Sequence, residues 1–484
     1  MTLHIGWAQR DITPQKPVEL IGQYYQRLSR GVRDPLSVTA LAVEQRGSAE
    51  QVVMVAVDTL FVTRDFQDEV RTAIRGRIPG LNPDMVVLNA THTHSAPSWF
   101  APFRWWKPAK DALQPAEIRA LILEGVVAAV EEAWQSRRVG GVSDASAYAT
   151  TGFCRRLMYD DGSAEMYGDP ARPDFLGVEA GSDDEVRLLF TWDEQKRLTG
   201  VVFNVACPAQ VMEATYVVSA DFFGELRELV RRKFGKAVNV LGQVSAAGDL
   251  SPRNLPGQAR EEVNYWNESG VNAIAQRLFR AIEEGYAAAV AKIDLSPVVR
   301  HRTQEITLPI RRATREEYEA ARSEIDTLCR PFPDEDTASR ELYGRFVRDM
   351  LAREQKAPHG PFDNKNIEFV YLENAQAVVA RYESQDRVAL FSMELHVIRL
   401  GDCAFVLNPF ELYLDFGQKL QARSPAKRTF IVELACDAAG YLPTARAAKA
   451  GGYGSLIING KVGPDGGALL VEASLQAIQS LWCD

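Results

Sequence analysis

The stretch MVVLNATHTHSAP, Met85 to Pro97, holds the reading that decides the fold and the first hint of chemistry. Met85 to Ala90 is a short apolar, β-branched run of the kind that forms a strand buried on both faces. It passes directly into Thr, His, Ser and Pro, and strand ends that feed such loops are where open α/β sheets place their sites. On the N-terminal side, Val52 to Val57 reads as another buried strand, followed by Asp58 and a helix expected from about Arg64 to Arg77. On the C-terminal side a helix is expected from Ala116 to Gln135. Strands follow at Val201–Ala206 and Val238–Gly242, with a helix at Phe222–Phe234 between them and another at Ala259–Glu284. This alternation predicts an α/β fold of layered sheets flanked by helices.

From about Pro297 the texture changes. HRTQEITLPI alternates as a strand does, Arg315 to Lys356 is charged and helical in pattern, and after the loop APHGPFDN strands are expected at Ala377–Val397 and Cys403–Leu407. With 484 residues and roughly 150 per domain, the length allows about two to four units, but no repeat, low-complexity tract or linker divides the chain. The expectation is one domain over residues 1–484 with two lobes, 1–296 and 297–484, and no C-terminal β-sandwich domain.

Composition narrows the function. Apolar residues make up 46% and charged residues 25%, enough for a large soluble core. Against 64 acidic residues stand 55 basic ones, a net charge of −9, which argues against nucleic acid as the main partner. No run approaches the roughly 18 apolar residues of a transmembrane segment. The opening MTLHIGWAQRDITPQ has no basic start followed by an apolar run, so a cytoplasmic location is expected. The six cysteines are scattered without C-x-x-C, so neither a disulfide framework nor a cysteine-rich zinc module is expected.

Three clusters can carry chemistry. His92 and His94 would face one side if the strand geometry continued, as metal ligands or acid–base groups, or else as loop histidines held by hydrogen bonds. In AAGDLSP, Gly248 permits an unusual backbone angle and Pro252 stiffens the turn, which can fix Ser251 or form an ordinary Gly-Asp turn. It is not the G-x-S-x-G elbow of esterases. The third is late: Asn408-Pro409-Phe410-Glu411, Ala439 to Thr444 around Tyr441, and Gly451-Gly452-Tyr453-Gly454.

Taken in order, IGWAQRDITP, VVLNATHTHSAP, SADFFGELR, AAGDLSP and AGYLPT with Tyr453 resemble the catalytic domain of the neutral/alkaline non-lysosomal ceramidases over most of the chain. The resemblance implies a zinc-dependent hydrolase of linear amides, with one zinc per chain and the site between the lobes. It implies His92, Glu411 and Tyr441 as zinc ligands, and His94, Ser251 and Tyr453 as catalytic residues. It also implies Arg155 or Arg156, of which Arg155 is taken, as an arginine at the substrate.

One departure concerns the second histidine ligand of that family, whose slot here is held by Cys207. A thiolate is a credible zinc ligand, and a buried structural cysteine is the other reading. The aromatic group Trp99, Phe100, Phe103, Trp105 and Trp106 reads equally as a substrate mouth or a buried loop. The expected partner is a small-molecule or lipid-like amide substrate. The alternatives are a hydrolase of a small polar, non-sphingolipid amide, and a non-catalytic binding protein on a decayed hydrolase fold.

Overall fold

Eight strands from the first half of the chain pair into one sheet. Their order is Asn239–Val244, Leu198–Val205, Glu185–Asp193, Arg138–Tyr148, Thr2–Asp11, Ser37–Arg46, Gln51–Val57 and Val86–Ala90. The computed structural model describes residues 2–100, 107–354 and 368–483. The outermost pair at each edge is parallel and the inner pairs are antiparallel. A parallel pair needs a crossover, and the helices Arg64–Ile74 and Asp221–Phe234 supply one at each edge. The sheet curls until its edges meet: the Asn89 side-chain amide donates to the Gly242 carbonyl at 3.2 Å.

A second sheet, Val299–Pro309, Leu390–Leu400, Cys403–Leu407 and Arg428–Val432, lies against the first. Leu41, Met54, Val202 and Leu241 of one sheet share a buried layer with Val299, Ile398, Phe405 and Phe430 of the other. Each large apolar side chain buried there contributes about 1.5–3 kcal/mol. Helices Arg64–Ile74, Pro115–Gln135, Asp221–Phe234 and Glu268–Ala289 cover the outer face of the first sheet. Leu414–Arg423 and Pro464–Trp482 cover that of the second, giving helix, sheet, sheet and helix layers. The chain after Val432 then threads back to the first sheet. Glu433 donates its backbone N–H to Val244, Ala90 donates to Leu434 and Cys436 donates to Leu88. This threading brings late residues to the strand ends of the first half.

Three sequence expectations need correction. The helix expected at Ala259–Glu284 begins at Glu268, where the Asn267 side chain accepts from Ser269 N–H; residues 258–260 form a short 3₁₀ turn. The stretch from Arg315 is two helices, Arg315–Cys329 and Glu335–Glu354, because Pro331 and Pro333 lie between them. Ala377 to Ser384 is not strand but the end of a helix, Glu368–Ser384. It buries Phe369, Val370, Leu372, Ala375 and Val378 against the neighbouring helices, at helical rather than alternating spacing. Lys356 and the APHGPFDN loop lie outside the described residues. Among the described residues, no helix is long and apolar enough to cross a membrane.

Candidate active site

The strand Val86–Ala90 does not continue through the histidines. Thr91 still donates its backbone N–H to Val57 and its hydroxyl to the buried Asp58. His92 then takes a left-handed backbone angle, φ 60, a strain of about 1–3 kcal/mol. The two rings therefore converge through a turn and not through strand alternation. His92 Nδ1 lies 2.8 Å from the Leu60 carbonyl and His94 Nδ1 lies 3.0 Å from that of Gly22. A carbonyl only accepts, so each ring carries its proton on Nδ1 and presents a bare Nε2. The two Nε2 atoms lie 3.3 Å apart. Burial pushes both imidazoles below their ordinary pKa, His94 well below because His92 and Arg27 add to the effect. Gly22 makes this packing feasible. Its φ is +99, and a Cβ there would sit 2.6 Å from His94 Nδ1.

The SADFFGELR segment braces this loop. Thr93 Oγ1 donates to the Ser219 carbonyl and Arg227 pairs with Asp58 at 2.5 Å. Asp221, also left-handed at φ 56, accepts the Met212 backbone N–H at 2.8 Å. That bond fixes the loop after Leu198–Val205, which bears Gln210 and Glu213. Burial raises the Asp221 carboxyl to about 7.

The second half of the chain contributes a short parallel pair, Phe410–Leu412 with Gly440–Leu442, in which Glu411 and Tyr441 are register partners. Glu411 Oε2 stands 3.6 Å from His92 Nε2. Burial, followed by the charge of the nearby Glu411, holds the Tyr441 phenol well above its ordinary pKa. Arg155 reaches both halves of the site. It donates to Tyr441 Oη at 3.2 Å. It also donates to Gln210 Oε1 at 3.2 Å, so Gln210 Nε2 donates to His94 Nε2 at 2.9 Å. The Gly-Asp turn supports this frame. Gly248 accepts from Arg155 at 3.0 Å and Asp249 accepts the Leu414 N–H at 2.8 Å. Gly248 does not use a left-handed angle as expected; it is needed because a Cβ would lie 2.3 Å from the Glu411 carbonyl oxygen.

His92, His94, Glu411, Tyr441 and Tyr453 line one cavity of about 340 Å³, with Ile21, Gly22, Gln23, Tyr24, Leu60, Phe61 and Phe100 around them. The Tyr453 hydroxyl is hydrogen-bonded to that of Tyr24, and burial pushes it up to about 12. Of the aromatic group, Phe100 stacks on Phe61 at 4.3 Å in the cavity wall, while Trp99 is buried and donates to Thr59. Phe103, Trp105 and Trp106 lie outside the described residues.

Three expected site residues stand elsewhere. Arg155 does not line the cavity but sits behind Tyr441 and Gln210, its two terminal nitrogens donating to Gln210, Gly248 and Tyr441. Ser251 is fully buried, and its hydroxyl closes a turn by accepting the Arg253 N–H at 3.2 Å. Cys207 Sγ lies 3.2 Å from the Thr151 carbonyl, outside the cavity lining, and burial raises the thiol pKa strongly. Gly22, Tyr24, Gln210, Glu213 and Arg253 are parts of the site that the sequence reading does not reach.

His92, Glu411 and Tyr441 are the side chains that could hold a metal ion here. His92 Nε2 is a buried lone pair whose tautomer is fixed by Leu60, and Glu411 and Tyr441 stand beside it. Three protein donors plus an open position is the usual form of a catalytic zinc site. Among the described residues, no three His, Cys, Asp or Glu side chains are grouped to hold a metal.

Comparison with known proteins bears on the fold. The structures titled "Ceramidase complexed with C2" and "Crystal Structure Analysis of neutral ceramidase from Pseudomonas aeruginosa" each superpose with a TM-score of 0.69. Each covers 100% of this chain and 75% of the other, at 17% and 18% identity. The fold is that of the neutral ceramidases. In sequence the chain is neutral-ceramidase-like. It is 26% identical to the neutral ceramidase of Pseudomonas aeruginosa over 263 residues, 51% of this chain. The match spans about a third (36%) of that relative's length. No protein-family model matches the chain.

Proposed function

We propose that this neutral-ceramidase-like chain hydrolyses a linear amide that carries an apolar acyl chain. The observation that carries the reading is the pair of unprotonated imidazole Nε2 atoms, 3.3 Å apart, that of His92 beside Glu411, in a cavity rimmed by Ile21, Leu60, Phe61 and Phe100. The apolar rim suits an acyl chain, and the polar floor suits the amide.

His92, Glu411 and Tyr441 are the residues that would hold zinc, which when bound supplies Lewis acidity toward the amide carbonyl and water. The attacking water gives its proton to His94 Nε2 as it adds to the amide carbon. In the resting arrangement the Gln210 N–H holds that lone pair, so release of this hydrogen bond is part of the step. His94 then passes the proton to the leaving nitrogen, and the C–N bond breaks. The Tyr453 hydroxyl, kept protonated by its raised pKa, donates to the developing oxyanion. Arg155 acts from behind, donating to Tyr441 and Gln210.

The test is hydrolysis of a short-chain fluorescent ceramide alongside a panel of water-soluble amides. Wild type is expected to cleave the ceramide and His94→Ala to lose that turnover. Cleavage of only the water-soluble amides would replace the lipid-like substrate with a small polar one. No turnover of any amide would overturn the hydrolase reading.

A further inference from the structure

Behind His94, on the side of the ring away from the cavity, stands a carboxylate that the proposed hydrolysis does not use. Glu213 Oε2 lies 3.3 Å from His94 Nδ1, and its side chain is 3% exposed. Its oxygens have two further partners: Arg253 Nη1 donates to Oε1 at 2.6 Å and Gln23 Nε2 donates to Oε2 at 3.2 Å. Arg253 is itself buried, packed over the Trp266 ring at 3.3 Å, and donates to the Gln210 carbonyl at 2.7 Å. Burial raises the Glu213 carboxyl above its ordinary pKa, and the charges of Arg253 and Arg155 offset that push only in part.

The tautomer of His94 follows from the hydrogen-bond directions. Arg155 can only donate, so Gln210 must accept with its oxygen and donate with its nitrogen, and His94 must accept at Nε2 and carry its proton on Nδ1. That proton is donated to the Gly22 carbonyl at 3.0 Å, and the Glu213 carboxyl stands beside the same ring edge at 3.3 Å. A carboxyl group packed against the Nδ1 edge of a histidine whose Nε2 opens on a cavity fixes where that ring can stand.

We propose that Glu213 is the positioning carboxylate of His94, forming with it a buried Glu–His pair whose working end is His94 Nε2. The proposal rests on the reading that His94 moves the proton in amide hydrolysis. Glu213 lines no part of the cavity and reaches it through the His94 ring and through Gln23.

Glu213→Gln keeps the shape and removes the charge. On the short-chain fluorescent ceramide, kcat is expected to fall about 10- to 100-fold, with KM unchanged within about twofold. Because Glu213→Gln leaves Arg253 buried without its counter-charge, the double variant Glu213→Gln/Arg253→Gln removes both charges together and guards against a folding failure. It should show the same loss of kcat with a cooperative thermal transition. A readout without substrate is the proton resonance of His94 Nδ1–H in histidine-labelled protein, expected downfield in wild type and moved upfield in both variants. Wild type that turns over no amide, with a resonance that moves on substitution, rejects the hydrolase reading and supports the pair. Active wild type whose resonance is unmoved by either variant, or whose kcat changes less than about twofold in both, rejects the pair.

Discussion

The molecule buries two pairs of histidines, and they differ in how their nitrogens are satisfied. His301 Nε2 meets His396 Nδ1 at 3.1 Å, and His396 Nε2 lies 3.2 Å from Glu394, which Arg71 holds at 2.8 Å. That pair joins the Val299–Pro309 and Leu390–Leu400 strands to the Arg64–Ile74 helix and lines no described cavity. His92 and His94 are as deeply buried and are likewise shifted downward in pKa. Their Nε2 atoms, however, open on a cavity beside Glu411. Burial and a depressed pKa therefore do not mark a site here. An imidazole nitrogen turned into a cavity, with its tautomer fixed from behind, does.

The largest test of that distinction is His92→Ala. If His92 is a donor to zinc, its loss should lower kcat/KM on a short-chain fluorescent ceramide by about 10³-fold, the scale of a lost Lewis acid worth several kcal/mol. Elemental analysis should fall from about one zinc per chain to well below that. Retention of both would put His92 with the structural pair. Gly22→Ala should follow. The new methyl meets the His94 ring at 2.6–2.8 Å from a backbone angle that disfavours alanine. A displaced proton-transfer group costs about 10²-fold in rate. The variant should stay folded while kcat falls, and unchanged kinetics would show that the ring does not depend on this packing.

How far the sequence carries depends on what each residue answers to. Strands buried on both faces, such as Gln51–Val57 and Val86–Ala90, are legible because apolar side chains run almost without break. Thr2–Asp11, Ser37–Arg46, Arg138–Tyr148 and Glu185–Asp193 escape notice because Gly6, Thr39, Asp144 and Arg187 interrupt the apolar pattern. His92 lies more than 300 residues before Glu411 and Tyr441, and the resemblance proposes them together where spacing cannot. Gln210 and Glu213 have no signature at all. Their roles exist only because Asp221 pins the loop that carries them and Arg155 sets the hydrogen-bond direction.

Cys207 sits at the end of the Leu198–Val205 strand, as His92 follows Val86–Ala90, and the comparison extends to it. With its sulfur at the Thr151 carbonyl and its thiol pKa raised by burial, it belongs with the structural histidines. Cys207→Ala is expected to leave zinc content unchanged and kcat/KM within about threefold of wild type, while thermal stability falls by about 1 kcal/mol for the small cavity created. The wild-type thiol should resist alkylation at pH 8 in the folded state. Loss of zinc in the variant would instead return Cys207 to the ligand set.

The smallest expected effect separates the two histidine pairs by pH. Burial keeps His301 neutral in the folded protein, with its pKa well below 6.5. The unfolded chain therefore takes up a proton at this position as pH falls through about 6.5, and the folded chain does not. The sign follows from linkage: stability attached to His301 is present above that pH and is lost as the pH drops. Replacing the ring with a group that does not titrate removes one proton from the difference. His301→Gln should therefore flatten the fall in unfolding free energy between pH 6.5 and 5 by up to about 1.4 kcal/mol per pH unit relative to wild type. Asp221 and Asp249, whose carboxyls burial raises to about 7 and about 6, push the wild-type slope the other way, so the comparison must be between variant and wild type and not an absolute slope. The same variant should keep kcat within about twofold, since linkage acts on stability and not on the cavity. If His301→Gln instead abolished turnover while leaving the pH slope intact, the division between a structural pair and a working pair would be wrong at its root.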